Sequence, residues 1–119
     1  MISRLLLVIL AFGLLFGCAT SPTGRSQLML VSPESAIVES EKAYISTVGE
    51  LGKKDKLLND PALSKRVATI TGRLVTVAIQ KFPASARWEW SVAIVDDPKV
   101  VNAWCMAGGR MAVYTGLFE

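Results

Sequence analysis

No histidine occurs among the 119 residues of this chain. That absence excludes a zinc helix of the H-E-x-x-H kind from the sequence, because such a helix needs two imidazoles one turn apart. It also removes the usual base for a cysteine nucleophile. Cysteine is scarce as well. Cys18 and Cys105 are the two present, too few for a disulfide framework. Long apolar runs are missing too: the stretch from Leu5 to Phe16 falls short of the ~20 residues a transmembrane helix requires. There is no G-x-x-x-x-G-K phosphate loop and no internal repeat. The 13 basic and 10 acidic residues are interspersed, so no nucleic-acid footprint is visible and no nucleic-acid partner is expected.

What is present begins with a secretion signal. Met1 to Arg4 is a short positive region, and the apolar run after it has the length of a signal-peptide core rather than of a membrane span. Leu15-Phe16-Gly17-Cys18 then resembles a bacterial lipobox, whose cysteine becomes the lipidated first residue of the mature protein. Residues 1–17 are therefore expected to be a signal peptide, Cys18 the lipidation site, and residues 18–32 a lipidated tether rich in Ser, Thr, Pro and Gly. With Cys18 carrying lipid, Cys105 has no intrachain partner. Its place in an apolar strand pattern predicts a buried, inert thiol.

The remaining residues, 33–119, predict one α+β domain. Ser32-Pro33-Glu34 opens a helix that runs to about Leu51, with Gly52 as its stop. Its apolar stripe is thin, which predicts packing at the rim of the domain. Lys53, Lys54 and Lys56 gather where that helix ends and suit its dipole. Asn59-Asp60-Pro61 opens a second helix, closed by Phe82-Pro83. Its Leu63, Val67, Ile70, Leu74, Val77 and Ala78 keep helical spacing, so this stripe should bury against a core. Trp88, Trp90, Val92 and Ile94 alternate with other residues as a strand does. Asp96-Asp97-Pro98 ends that strand as a turn. Val100–Met106 and Arg110–Thr115 follow as two more strands, with Gly108 and Gly109 supplying the positive φ angles of a hairpin turn. Two N-terminal helices and then a three-stranded antiparallel meander is the expected fold.

The hairpin, with its Asn102-Ala103-Trp104 opening, its double glycine and its Tyr114-Thr115-Gly116-Leu117 exit, is similar to one found in a family of zinc metallopeptidases. That family contains CAAX prenyl endopeptidases and bacterial outer-membrane quality-control lipoproteases. Thr23-Gly24-Arg25-Ser26-Gln27-Leu28 resembles a segment common in its lipoprotein members. The resemblance covers residues 88–118 well and 23–32 fairly. It implies an incomplete zincin-like domain, the N-terminal part of a membrane-anchored zinc metalloendopeptidase acting on unfolded or misassembled envelope proteins. In the family, a helix after the Gly-Leu exit brings H-E-x-x-H, and zinc activates a bound water. Here Glu119 precedes that point, so no catalytic or metal residue is assigned and no zinc binding is expected of this chain alone.

By position, the resemblance gives Asn102, Ala103 and Trp104 the role of holding an extended substrate by main-chain hydrogen bonds. Plain sheet packing is the competing role for them. A lipid anchor on the periplasmic side of the envelope, at the outer membrane, is the implied location. The alternative function is a non-catalytic envelope lipoprotein that binds peptides or a partner through an exposed edge strand. Without further covering helices, the Trp88, Trp90, Val92 and Ile94 face is expected to be exposed.

Overall fold

The structure, a computed structural model, describes residues 18–21 and 23–118. The expected signal peptide lies outside the described residues. The chain divides into two compact units between Ser32 and Pro33.

In the first unit, the segment expected to be a tether contains a small hairpin. Strand β1 (Cys18–Thr20) pairs antiparallel with β2 (Ser26–Leu28). Its turn is held by Ser21, whose amide donates to Arg25 O (2.8 Å) and whose carbonyl accepts from the Gly24 amide (2.8 Å). Gly24 sits at φ 81°, a conformation that glycine adopts without steric cost.

The second unit begins with helix α1 (Pro33–Lys53), followed by α2 (Pro61–Lys81). Both start with proline at the first helical position, where the missing amide costs nothing. Asp60 caps α2, its carboxylate accepting from the Leu63 amide at 2.7 Å. Phe82 ends α2, and the chain turns through a short 3-10 helix, Pro83–Arg87, into the sheet.

The sheet is mixed, which corrects the expected antiparallel meander. Strand β3 (Ser91–Val95), β4 (Ala103–Cys105) and β5 (Arg110–Tyr114) lie in the spatial order β3-β5-β4. β3 runs parallel to β5, from Ser91↔Arg110 to Val95↔Tyr114, and only β4–β5 is an antiparallel hairpin. Two features account for the difference. The link from Asp96 to Asn102 is too long for a tight turn and crosses the end of β5, with the Asp97 amide donating to Thr115 Oγ1 at 2.9 Å. Gly116 makes room for the crossing, since a Cβ there would come within 2.5 Å of Val100 O and 2.7 Å of Pro98 O. β5, with Ala112 1% exposed, thereby takes the centre.

Side chains alternate across a strand, so the registers define two faces. Val92, Ile94, Met111 and Val113 share one face, which α2 covers through Val67, itself 2% exposed. Ala93, Arg110, Ala112 and Trp104 share the other. Helix α1 lies there: Tyr44 meets Trp104 edge to face at 6.0 Å, and Arg110 bonds Glu41 at 3.2 Å. None of the described residues of α1 is fully buried, in keeping with its thin stripe.

The tryptophan face is less exposed than expected. The strand starts at Ser91 rather than Trp88, because the 3-10 helix folds back over the two rings. Trp90 Nε1 donates to Ser85 O at 2.9 Å, and Trp88 packs between Phe82 and Trp90 with ring centroids at 5.9 and 5.4 Å. Ile94 is buried, and Trp88, Trp90 and Val92 are half-buried.

The α2 stripe departs from expectation in the opposite sense. Val67 is enclosed, but Ile70, Leu74 and Val77 are 44%, 63% and 47% exposed. Geometry explains this: a 21-residue helix is roughly 31 Å long, whereas a five-residue strand spans roughly 17 Å. The helix is longer than the strands beneath it, and Ile70 and Leu74 face the sheet only across an open groove.

Candidate functional site at the open edge of the sheet

The two edges of the sheet differ. Beside β3 runs the α1–α2 connection. Leu57 bridges to Val95, the Leu58 amide donates to Ile94 O (2.9 Å), and the Asp96 amide donates to Lys56 O (2.8 Å). The β4 edge, among the described residues, has no such cover. An uncovered edge offers a row of main-chain donors and acceptors to an incoming strand.

The β4–β5 ladder determines which groups face outward. Tyr114 N–H donates to Asn102 O at 3.0 Å, and Met106 N–H donates to Arg110 O at 2.8 Å. In an antiparallel pair, hydrogen-bonded and non-hydrogen-bonded positions alternate. Trp104, opposite Ala112, therefore spends its main-chain groups inside the sheet, as Asn102 does with its carbonyl. Ala103 and Cys105 turn theirs to the open side. Of the three residues singled out by sequence, Ala103 is the one whose main-chain groups both turn to the open side. Cys105, whose place two residues on gives it the same orientation, was missed. The period of two was the signal that could have found it.

The side chains follow the same alternation. Trp104 is half-buried on the α1 side against Tyr44. Ala103 and Cys105 are exposed and border an apolar groove of about 390 Å³, which Ile70, Leu74, Met111 and Phe118 also line. The expected burial of Cys105 is thus corrected: it lies on the edge strand, and α2 stands off from it across the groove. Its sulfur is 3.5 Å from Met106 O. Partial burial against this apolar wall still pushes the thiol pKa up, which opposes nucleophilic use.

The hairpin turn fixes the edge in place. Gly108 and Gly109 have φ of 86° and 87°, and the Gly109 amide donates to Met106 O at 3.1 Å. Ile37 of α1 packs on Gly108 and the Trp90 ring on Gly109, so closely that a Cβ would approach them to 2.9 and 2.6 Å. Next to the turn, Arg110 pairs with Glu41 and Glu89, bonds Ser91 Oγ at 3.4 Å and lies over Tyr44 at 5.9 Å. This ionic node ties α1 to the sheet, and sequence reading did not find it, because its members are up to 69 positions apart.

The donor set does not fit a zinc ion. The chain has no histidine, and among the described residues no three Cys, Asp or Glu groups converge.

No protein-family model matches the chain, and no solved structure matches it. A protein it is similar to is the human "Metalloendopeptidase OMA1, mitochondrial", 32% identical over 123 aligned positions. The alignment takes in 98% of this chain and 23% of that protein, so the chain spans about a quarter of its relative's length. The similarity gives the chain a metallopeptidase relationship.

Proposed function

We propose that this chain supplies the substrate-holding edge of a zinc metalloendopeptidase and that it holds peptide without cleaving it. The observation that carries the reading is the open β4 edge, with Ala103 and Cys105 directed outward, in a chain similar to a metalloendopeptidase. An extended peptide would add as a further strand, bonded through main-chain groups, with alternate side chains directed to the groove and to the Trp104 side. Zinc and its general base belong to residues other than those described here.

The wider setting is part of the same proposal. Lipid on Cys18 would hold the protein on the periplasmic side of the outer membrane, where unfolded envelope proteins are its substrates. Two or more acyl chains anchor a protein far better than one. Cys18→Ala should release the protein from membranes, and unchanged attachment without a fatty-acid label would remove this part of the reading.

The edge is tested with the full chain and an extended peptide of apolar residues. Ala103→Pro deletes an outward amide and leaves the β5 ladder intact, a position proline tolerates on an edge strand. Peptide binding should fall at least tenfold with the melting temperature nearly unchanged. Equal binding by the wild type and Ala103→Pro would count against the reading. A second reading, a non-catalytic lipoprotein that binds peptides by the same edge, is favoured by the missing histidine. It predicts the same binding loss but no partner segment that restores proteolysis.

A further inference from the structure

The exposed face of α2 has a chemistry of its own. Ile70, Leu74 and Val77 are all exposed and follow one another at spacings of four and three, which lines them on one flank. Arg66, whose guanidinium lies over the Phe118 ring at 5.6 Å, is one turn before Ile70, and Arg73 one turn before Val77. Over its whole length α2 carries Lys65, Arg66, Arg73 and Lys81 and no acidic residue. An exposed apolar stripe bordered by cations, with no acid to offset them, has the composition of a helix that lies on an anionic bilayer.

We infer that this flank of α2 docks on an anionic phospholipid surface, with Ile70, Leu74 and Val77 reaching the acyl boundary and Arg66 and Arg73 meeting the headgroups. The mode is surface docking: no described helix is long and apolar enough to cross a membrane. Two other occupants fit less well. A strand added at β4 would reach Ile70 and Leu74 across the groove but would leave Val77 and Arg73 bare. A second copy joined flank to flank would bring Arg66 and Arg73 near the same cations of its mate with no acid of α2 between them. The inference shares Ile70 and Leu74 with the groove beside β4 but does not rest on peptide binding there or on lipid on Cys18.

The test uses the full chain on vesicles of brominated phosphatidylglycerol or brominated phosphatidylcholine. The comparison is made among bound chains, so that attachment by any other part of the chain does not enter the ratio. A tryptophan probe is placed on the flank by Leu74→Trp and on the opposite side by Thr76→Trp. Val77→Trp replaces the first if that variant does not fold. On phosphatidylglycerol the flank probe should be quenched beyond the native tryptophans and the opposite probe should not. On phosphatidylcholine the excess should disappear. Arg73→Gln should lower the docked-to-undocked ratio about fivefold, the loss expected for one basic residue at an anionic surface. Equal quenching at both positions, or quenching indifferent to lipid charge, overturns the inference. So does shielding of the flank probe that follows added apolar peptide or rising protein concentration instead of lipid.

Discussion

Helices α1 and α2 have the same length, 21 residues, and the same proline start, yet they are fastened by different forces. α1 bears Glu34, Glu39, Glu41 and Glu50 against Lys42 and Lys53. It is held by a half-exposed node, Arg110 with Glu41 and Tyr44 with Trp104. α2 bears only cations and packs on the sheet around Val67, its enclosed residue, with Arg66 over the Phe118 ring at 5.6 Å. The difference teaches that an apolar plug and a polar clasp are not equal substitutes. The plug removes area from water, while the clasp exchanges hydrated charges for a partly hydrated pair.

The comparison can be broken at the plug. Val67→Ala deletes two carbons from a closed site and leaves a cavity, for a loss of about 2 kcal/mol. Thermal melting should fall by about 10 °C in a domain of this size. A change below 2 °C would mean that α2 does not depend on Val67. Next comes the clasp. Arg110→Met keeps the bulk but removes the ion pairs and the cation–π contact, and should cost about 1 kcal/mol. Urea melts in low and high salt separate the contributions: the wild-type advantage should shrink as salt screens the pairs. A loss larger than that of Val67→Ala would reverse the ranking of the two helices.

A smaller effect sharpens the contrast within α2. Leu74→Ala should change stability by no more than about 0.5 kcal/mol, because Leu74 has little enclosed area to lose. A loss like that of Val67→Ala would show that something covers this flank in solution. The smallest effect lies where α2 faces β4. Partial burial raises the Cys105 thiol pKa, so the folded chain holds that proton more tightly than the unfolded one. The stability contribution is intact below the unfolded thiol's pKa of ~8.5 and declines as pH rises through the higher folded value. Alkylation of Cys105 in a Cys18→Ala chain should show an inflection above that of a small free thiol. An inflection below it would make the groove wall electropositive rather than apolar.

Local chemistry made much of the fold legible. The starts of both helices follow from Ser32-Pro33 and Asp60-Pro61, and the end of α2 follows from Phe82-Pro83, because caps and proline act within a few residues. Gly108 and Gly109 marked the hairpin turn for the same reason, and the period of two marked β3. Strand order was not legible. Whether β3 pairs with β4 or with β5 depends on a loop crossing at Gly116 and on which strand gains most from having two neighbours. Both are contacts between distant residues.

The candidate site divides along the same line. Sequence selected Asn102, Ala103 and Trp104 together, but the phase of the β4–β5 ladder alone turns Ala103 and Cys105 outward and Trp104 inward. Only the tertiary structure decided that β4 is the uncovered edge, that Arg110 reaches Glu41, and that α2 leaves an open groove beside its sheet. By itself the sequence determined the local elements and the missing histidine donors, since torsional preference and side-chain chemistry are properties of single residues and near neighbours. Register, edge and burial belong to no single residue: they arise when finite elements of unequal length are packed together.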